Sequence, residues 1–349
     1  MGNIVYNKNG DTLVRCPKGK KGCVIIPDTV KTIGLNAFSG CRGLTEVTIP
    51  NSVTLVDFRA FDECRSLKSI AIPASVTSIE EGAFLGCKCL ENITVSAANV
   101  SYQSIDGLLY SKSGDTLICC PAGKKGVLAL SDFVLKIANA AFDGCCGLKS
   151  VNIPDFVTTI GVGAFYGCRG LKKIAIPASV TSIEDAAFLG CKCLENITVS
   201  AANANYQSID GLLYNKSGDT LICCPAGKKG VLILPDFVAK IGVQAFDGCC
   251  GLQSVILPDS VTSIENLAFF GCQGLTSVTI GKSVSSIDYS AFFSCTHLTS
   301  VTVKAEIPPK YDAVFVLDTL YVPLHSVDLY KKASPWCKFK NIVGKKSRQ

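Results

Sequence analysis

The sequence predicts a repeat solenoid, a β-rich stack of about twelve coils with parallel strands, and three observations carry this prediction. The dipeptide Ala-Phe recurs nine times, separated each time by 23 or 58 residues. A triplet of apolar, any and apolar residue, usually followed by proline, recurs twelve times at separations of 23 or 35 residues. The chain is also apolar enough to bury a core, because 48% of its residues are hydrophobic and 18% are charged. A fixed period of this length is typical of repeat architectures.

A longer period of 104 residues groups the coils into modules. The tetrapeptide GDTL begins at Gly10, Gly114 and Gly218, and every fourth coil carries 12 extra residues. Three modules therefore start near residues 3, 107 and 211, the third of them shortened. The extra residues hold GLLYSKSGDTLICC and GLLYNKSGDTLICC, in which two apolar runs flank a Gly-Asp turn. We expect each of them to form a β-hairpin that protrudes from the stack.

The residues of one coil explain why the coils must stack. In LTEVTIP the alternation turns Val47 and Ile49 inward and leaves Glu46 and Thr48 facing solvent, and the following proline ends the strand. Phe61 then enters the core beside a small alanine. No coil can bury its apolar edge alone, so we expect neighbouring coils to form one continuous core.

Cysteine is unusually frequent, with 20 copies against two histidines. Nine cysteines share one register position after the Ala-Phe pair, where we expect each thiol to act as a small buried apolar group. They are Cys41, Cys64, Cys87, Cys145, Cys168, Cys191, Cys249, Cys272 and Cys295. No Cys-x-x-Cys pair exists, so a zinc site is not expected. Oxidation of an exposed pair stays open as an alternative for Cys119, Cys120, Cys223 and Cys224.

Catalysis and nucleic-acid binding are not expected. His297 and His325 are the only histidines, and neither recurs among the modules. The modules therefore do not repeat a histidine that could serve as the general base of a nucleophile. The three GKKG segments lack the Ser or Thr that follows GK in a P-loop. A net charge of +6 over 349 residues is too dilute for a nucleic-acid interface. We therefore predict no enzymatic activity, catalytic residue, metal ion or cofactor.

Membrane insertion is not predicted either. No apolar run approaches the roughly 18 residues that a spanning helix needs. The opening MGNIVYNKNG lacks the apolar core of a signal peptide, and no anchor is visible in the sequence.

A family resemblance covers nearly the whole repeat region. The pattern AFxGCxxLxxVxIPxSVTxI resembles the BspA-like, Treponema-type leucine-rich repeat family, from Val24 to Val303. The C-terminal segments IPPKYDAVF and LYVPLHSVDLYKKASPWCKFKNI resemble the closing segment of that family. The resemblance implies a right-handed leucine-rich-repeat superhelix over residues 1–303 and a C-terminal cap over residues 304–349. It also implies a secreted or cell-surface protein that acts in adhesion, with a host extracellular-matrix or cell-surface protein as its partner.

The outward positions of the strands supply the first candidate binding surface, which we call the strand face. They are small, polar and almost uncharged, so a broad partner could approach them closely. The predicted members are Glu46, Thr48, Ser69, Asn92, Thr94, Asn152, Lys173, Asn196 and Thr198. The hairpin residues Tyr110 and Tyr214 are predicted as anchors, because aromatic residues are enriched at interfaces.

The function predicted from these features is non-enzymatic binding of a macromolecule, in the first place a protein. A second candidate is a module that binds a glycan or another polyanion through the GKKG lysines. These lysines are Lys20, Lys21, Lys124, Lys125, Lys228 and Lys229. A third candidate is a structural spacer within a longer protein.

Overall fold

Two compact units make up the chain, and each is a stack of coils with parallel strands. The computed structural model describes residues 3–311 and 318–346. One unit comprises Met1–Leu171 and Pro177–Cys191, and the other comprises Lys172–Ile176 and Lys192–Gln349. The predicted β-solenoid is confirmed, and the boundary between residues 303 and 304 stays a prediction.

The strands are short, with two to six residues each. In the first half of the chain they are β1 (Val5–Tyr6), β2 (Thr12–Arg15), β3 (Lys21–Ile25), β4 (Thr32–Ile33), β5 (Gly43–Thr48), β6 (Leu55–Val56), β7 (Ser69–Ile72), β8 (Ser78–Ile79), β9 (Asn92–Val95), β10 (Tyr102–Ile105), β11 (Leu108–Ser111), β12 (Thr116–Cys119), β13 (Lys125–Ala129), β14 (Lys136–Ile137), β15 (Gly147–Asn152) and β16 (Thr159–Ile160). In the second half they are β17 (Lys173–Ile176), β18 (Ser182–Ile183), β19 (Asn196–Val199), β20 (Tyr206–Ile209), β21 (Leu212–Asn215), β22 (Thr220–Cys223), β23 (Gly230–Ile233), β24 (Lys240–Ile241), β25 (Leu252–Ile256), β26 (Ser263–Ile264), β27 (Ser277–Ile280), β28 (Ser286–Ile287), β29 (Ser300–Val303), β30 (Lys310–Tyr311), β31 (Thr319–Pro323) and β32 (Asn341–Lys345). The helices of the described residues are α1 (Val327–Lys332) and the 3-10 turns Leu324–Ser326 and Trp336–Lys338.

The longer strands of successive coils pair in parallel, with their inward residues in register. β7 pairs with β9 and places Ile70 opposite Ile93, and β25 pairs with β27 and places Val255 opposite Val278. These inward side chains are at most 2% exposed, as the alternation predicts. The sheet is interrupted, since β3 with β5 and β7 with β9 form separate two-stranded sheets. Val47 of β5 nevertheless belongs to the same core as Ile70 and Ile93.

The two-residue strands build a second set of parallel pairs. β4, β6 and β8 line up in one sheet of the first unit, and β24, β26, β28 and β30 line up in one sheet of the second. Each contributes one apolar residue to the core, as with Ile33, which lies opposite the equally buried Val56. These short strands also join the coils of β5 and β7, whose longer strands lie in separate sheets, because β6 pairs with β8.

Phenylalanine columns fill the core behind the turns. The rings of Phe38 and Phe61 stack with centroids 5.0 Å apart, and those of Phe142 and Phe165 with centroids 4.6 Å apart. The Phe38 N–H donates a 2.7 Å hydrogen bond to the carbonyl oxygen of Ala60 in the next coil. Because all five residues are fully buried, each coil stabilises its neighbours by apolar burial and by stacking.

A glycine usually precedes the buried cysteine that follows each Ala-Phe pair, because the backbone there is left-handed. The residue there has a positive φ in all nine Ala-Phe coils, for example +66° at Gly144. Glycine adopts this conformation without steric cost, and it occupies seven of the nine positions. Glu63 and Ser294 hold the other two, with φ values of 58° and 65°.

Each 12-residue insertion forms the predicted hairpin, but the hairpin does not protrude. β11 pairs with β12 in antiparallel fashion, β10 adds a third strand, and β12 pairs in parallel with β14 of the next coil. On the other side, the Ile79 N–H of the preceding coil donates to the Tyr102 hydroxyl at 2.8 Å. Leu108, Leu109 and Tyr110 are all buried, so both faces of β11 are covered. The hairpin therefore lies between two coils, because it carries apolar side chains on both faces.

Residues 304–346 extend the sheet beyond the twelve predicted coils. β29 pairs in parallel with β31, and β31 with β32, which brings the stack to about fourteen turns. Tyr330, Trp336 and Phe339 complete the core of the second unit. The Trp336 Nε1–H donates to the carbonyl oxygen of Pro309 at 3.0 Å. Residues 312–315 of the predicted closing segment lie outside the described residues, and the capping role stays a prediction.

Candidate binding surface

The predicted strand face is exposed at every one of its positions. Glu46, Thr48 and Asn152 in the first unit carry exposed side chains on β5 and β15. In the second unit, Lys173 and Asn196 lie opposite each other on the paired strands β17 and β19. The remaining members are the exposed residues Ser69, Asn92, Thr94 and Thr198. Exposure makes this face available, and its part in binding stays a prediction.

The lysines of each GKKG segment differ in their surroundings. The Lys124 Nζ atom donates to the carbonyl oxygen of Asp106, at the hairpin turn, at 2.7 Å and lies 3.4 Å from the Asn92 Oδ1 atom. Lys228 makes the equivalent 2.7 Å contact with the carbonyl oxygen of Asp210. Lys124 and Lys228 therefore hold the hairpin turns. Lys125 and Lys229 are the more exposed lysines of the pairs, on or beside strands β13 and β23.

The predicted tyrosine anchors are wrong. Tyr110 and Tyr214 are each 1% exposed and lie inside the packed hairpins. Burial raises the pKa of Tyr110 to about 12, which shows how far this phenol is removed from water. Neither side chain can contact a partner without the hairpin unfolding.

Three strands that follow hairpins carry an exposed apolar face that the sequence analysis did not include. Ile25 on β3 is 75% exposed, Val127 on β13 is 68% exposed, and Val231 and Ile233 on β23 are 62% and 66% exposed. The signal was the alternation in CVI, VLA and VLI, where the outward residues are apolar or cysteine, whereas most outward residues of the other coils are Ser, Thr or Asn. Exposed apolar groups in a recurring register indicate a contact surface.

Two exposed aromatic rings lie in consecutive coils of the first unit. Phe133 and Phe156 are 76% and 64% exposed and follow strands β13 and β15, which pair with each other. Each is followed by a fully buried valine, Val134 or Val157. The N–H of that valine donates to the carbonyl oxygen of the residue three positions earlier and so closes the turn. The anchored valine directs the preceding ring to solvent. We call Phe133 and Phe156 the aromatic pair.

The aromatic pair replaces a residue that other coils use to bind each other. At this register Ser52, Ser75 and Ser179 each donate a 2.7 Å hydrogen bond to a valine carbonyl oxygen of the preceding coil. Phenylalanine cannot make that bond. The sequence signal was therefore DFV at residues 132–134 and 155–157, where most other coils have a small residue before the valine. A third DFV lies at residues 236–238, where Phe237 is 45% exposed and its ring lies edge-on to that of Tyr214. A position that gives up a structural contact for an exposed ring is a candidate for function.

Twelve of the twenty cysteines are buried, one in each predicted coil. The nine predicted cysteines share their register position, whereas Cys16, Cys120 and Cys224 of the hairpin coils take the register position of the stacked phenylalanines. Their N–H groups donate to Ala37, Ala141 and Ala245, as the Phe38 N–H donates to Ala60. The Cys145 Sγ atom lies 3.5 Å from the carbonyl oxygen of Cys120. The expectation that Cys120 and Cys224 belong to exposed cysteine pairs open to oxidation is wrong, because both side chains are buried in the core. Cys119 and Cys223 are half-buried, and all twenty cysteines are free thiols.

The two histidines lie at the surface among polar groups. The His297 Nδ1 atom is 2.6 Å from the carbonyl oxygen of Gln273, and the His325 Nε2 atom is 3.4 Å from the Glu306 carboxylate. In residues 3–311 and 318–346, no group of three or more His, Cys, Asp or Glu side chains is arranged to hold a metal ion. None of the helices in these ranges has the length and apolar character required to cross a bilayer.

The described residues of each unit form a cleft. The cleft of the first unit has a volume of about 250 Å³ and is lined by Glu80, Glu81, Leu109 and Asp143, among others. Burial and the nearby Asp62 carboxylate raise the pKa of the Asp143 carboxyl to about 6. The second cleft, of about 1070 Å³, lies beside the C-terminal strands and includes Lys282, Lys304 and Glu306.

Comparison with protein families decides the identity. A family described as "BspA type Leucine rich repeat region" matches residues 20–113, 127–217 and 230–319, in six copies. The chain belongs to the BspA-type leucine-rich repeat family. The match covers most of the 349 residues and coincides with the coils described above, so the resemblance inferred from the repeat pattern is confirmed.

Solved bacterial structures share the fold of this BspA-type chain. A leucine-rich cell surface protein from Faecalibacterium prausnitzii is 28% identical, with a TM-score of 0.61, over 99% of this chain and 93% of its own length. A leucine-rich repeat protein from Eubacterium ventriosum is 27% identical, with a TM-score of 0.56, over 78% of this chain and 76% of its own length. No curated protein matches the chain significantly.

Proposed function

We propose that this BspA-type chain is a non-enzymatic, secreted or cell-surface protein that binds another protein through exposed side chains on its coils. The observation that carries the proposal is the aromatic pair: Phe133 and Phe156 lie exposed in neighbouring coils where other coils have hydrogen-bonding serines. Aromatic residues, phenylalanine included, are enriched at protein interfaces, where a few anchor residues carry most of the binding energy. A cell-surface placement is supported by the family and by the F. prausnitzii neighbour, which is described as a cell surface protein.

A rigid stack suits this role for an energetic reason. The turns that hold the aromatic pair are anchored by the buried residues Val134 and Val157, so little conformational freedom is lost when a partner binds. The neighbouring side chains Asp132 and Asp155 are exposed and give the rings a polar rim. The partner that fits best is a folded protein with an apolar patch bordered by basic groups. An adhesin-like role toward a host extracellular-matrix or cell-surface protein is the specific form of the proposal.

The test is a binding measurement with two matched variants. Wild-type protein is passed over immobilised extracellular-matrix and cell-surface proteins, and each binder is measured again with the double variant Phe133→Ser, Phe156→Ser. Serine is the residue that other coils carry at this register, so the variant is expected to fold. We expect affinity to fall by about tenfold or more, because two aromatic contacts are lost.

The control is Leu35→Ser, which removes a 57% exposed apolar side chain from a different turn of the same unit. It should leave affinity unchanged. The proposal fails if wild-type protein binds no protein in the set at micromolar concentration, or if the aromatic variant binds as well as wild type. Retention on a heparin resin that disappears with Lys125→Ala and Lys229→Ala, without any protein binder, would favour the polyanion-binding alternative.

A further inference from the structure

The strands that follow the hairpins, β13 and β23, are edge strands inside the stack. β13 pairs only with β15 in a two-stranded sheet, and β23 is the first strand of its sheet and pairs with β25. The strand before each of them, β9 or β19, is met instead by the hairpin turn. There the Ile93 N–H donates to the carbonyl oxygen of Gly107 at 2.9 Å, and the Ile197 N–H donates to that of Gly211 at 3.0 Å. The hairpins thus separate strands that would otherwise be neighbours.

The open edge of each strand carries free backbone groups. The Leu130 N–H donates to Asn152 on β15, and the Leu234 N–H donates to Ile256 on β25. Because successive residues of a strand point their N–H and C=O groups to opposite sides, Val127 and Ala129 direct theirs away from β15. Val231 and Ile233 do the same on β23. Within the described ranges, these four N–H groups have no hydrogen-bond partner.

Both strands are open to solvent at their first residues. A Cβ atom placed on Gly126 or Gly230, at the start of each strand, would meet nothing within 4 Å. The inward residues Leu128 and Leu232 are only half-buried, whereas the equivalent residue Val151 of the next coil is 3% exposed. The core is therefore less completely covered at these two strands than at β15.

The protection of these edges against pairing is confined to the start of each strand. Natural edge strands are blunted by charged residues, bulges, short length or a covering loop. Here the bulge falls at the first step, between Gly126 and Val127, and the residues after it are regular and apolar. The outward side chains Val127 and Ile233 are 68% and 66% exposed. Such an edge is a template for an added strand.

The charge beside each edge selects the kind of strand. Lys124 is held at the hairpin turn by the backbone carbonyl oxygen of Asp106, so its ammonium group is engaged within the chain. Lys125 is exposed, and in the described part of the chain no carboxylate forms an ion pair with it. Lys229 takes the same position before β23. Each edge therefore presents apolar side chains next to one uncompensated positive charge.

We propose that the open edges of β13 and β23 each accept an extended segment of a partner protein, with alternating apolar and acidic residues, as an additional β-strand. The proposal rests on the proposed function, since it names the chemistry of a second contact made by the same protein-binding chain. The backbone N–H and C=O groups of residues 127, 129, 231 and 233 supply affinity. Lys125 and Lys229 select acidic over basic segments.

The experiment uses the full chain and a synthetic probe, a twelve-residue peptide that alternates valine and glutamate, with an alternating valine and lysine peptide as its control. Binding is measured by fluorescence anisotropy, and amide hydrogen exchange is measured with and without peptide. We expect the acidic peptide to bind about tenfold or more tightly than the basic one. We also expect exchange to slow at the amides of residues 127, 129, 231 and 233.

Two kinds of variant separate edge pairing from other modes of binding. Ala129→Pro with Ile233→Pro removes one edge-facing N–H from each strand, and Lys125→Glu with Lys229→Glu reverses the selecting charge. Both variants should weaken binding of the acidic peptide by about tenfold, and the charge variant should now favour the basic peptide. The charge variant keeps the test decisive if the proline variant does not fold.

The proposal is overturned by any of four results. These are no binding of the acidic peptide, equal binding of both peptides, protection confined to amides outside β13 and β23, or unchanged affinity in the charge variant. Dimerisation of the free chain that the proline variant abolishes would identify a second copy as the occupant and also overturn it. If protein binding still depends on Phe133 and Phe156 after such a result, the proposed function stands while the edge proposal fails.

Discussion

The side-chain amide of Asn99 donates a 2.9 Å hydrogen bond to the carbonyl oxygen of Val76 in the preceding coil. A second bond of 2.8 Å goes to the carbonyl oxygen of Pro73, and the Asn99 Oδ1 atom accepts bonds of 2.8 Å from the N–H groups of Ser101 and Tyr102. The side chain is satisfied on all sides although the residue is 1% exposed. Asn99 therefore fixes the start of the hairpin to the coil before it.

Replacement of this asparagine should destabilise the first unit. Asn99→Ala leaves buried N–H and C=O groups without partners, so we expect the free energy of unfolding to fall by about 2–3 kcal/mol. Urea unfolding followed by circular dichroism measures the change. The exposed Asn152→Ala serves as the control and should stay within about 0.5 kcal/mol of wild type. An equal loss in both variants would show that the Asn99 network has no special role.

The twelve buried thiols should be protected in the folded protein. Hydrogen bonding to the thiol of the next coil, followed by burial, raises the pKa of Cys64 and Cys168 well above the usual range, which suppresses the reactive thiolate. A thiol reagent at neutral pH should therefore modify the six exposed cysteines readily, and Cys119 and Cys223 more slowly. After denaturation all twenty should react. Rapid modification of more than about eight thiols in the native protein would contradict the buried column.

Replacement of phenylalanine by alanine should lower the stability strongly in the phenylalanine column and hardly at all in the aromatic pair. Phe165 is fully buried, with its ring 4.6 Å from that of Phe142 and 5.6 Å from that of Phe188. Phe165→Ala should lower the free energy of unfolding by about 3–5 kcal/mol, because it opens a cavity in the column. Phe156→Ala should change it by less than about 0.5 kcal/mol, because the ring is exposed. Thermal and urea unfolding of the two variants provide the comparison, and a similar cost at both positions would contradict it.

Burial of Asp143 should make the first unit less stable as the pH rises. Its pKa is raised to about 6 by burial and by the Asp62 carboxylate, from an ordinary value of 3.8. Between these two values the folded chain holds a proton that the unfolded chain has lost, so the free energy of unfolding decreases with rising pH. Above this window the destabilisation is complete.

The variant Asp143→Asn isolates this contribution, since the amide stays neutral throughout. Between pH 4 and pH 7, we expect the free energy of unfolding of this variant to rise by about 1 kcal/mol relative to that of wild type, after allowance for the partial exposure of the carboxyl group. Asp247→Asn in the second unit should behave alike, because burial raises the pKa of Asp247 to about 6 as well. Urea midpoints across this pH range give the measurement. Parallel pH profiles for wild type and Asp143→Asn would refute the assignment.

The coil structure could be predicted from sequence because each coil repeats the same alternation. Ile70 and Ile93 lie opposite each other because both are the inward residue of a parallel strand, and the repeat of Ala-Phe fixes the stacked rings. The hairpin strands followed from the apolar runs around the Gly-Asp turn. The C-terminal strands β31 and β32 did not follow, because their residues have no repeat from which a register can be inferred.

The surface could be predicted only in part, because exposure depends on packing between coils. Tyr110 looked like an anchor beside a turn, but the hairpin is covered on both faces and the ring is buried. Lys124 and Lys125 are adjacent in sequence, yet only the first reaches the carbonyl oxygen of Asp106. The exposed ring of Phe156 had a visible signal, since phenylalanine replaces a serine that hydrogen bonds between coils elsewhere.

The most direct test of protein binding by the coils is an oxidative footprint of the chain in complex with whichever protein it captures. Hydroxyl radicals modify exposed aromatic side chains, so Phe133 and Phe156 should be oxidised in the free chain and protected in the complex. Tyr289 and Phe293, each 65% exposed in the second unit, should be oxidised in both states. Protection of Tyr289 and Phe293, with Phe133 and Phe156 still oxidised in the complex, would contradict the proposed binding surface.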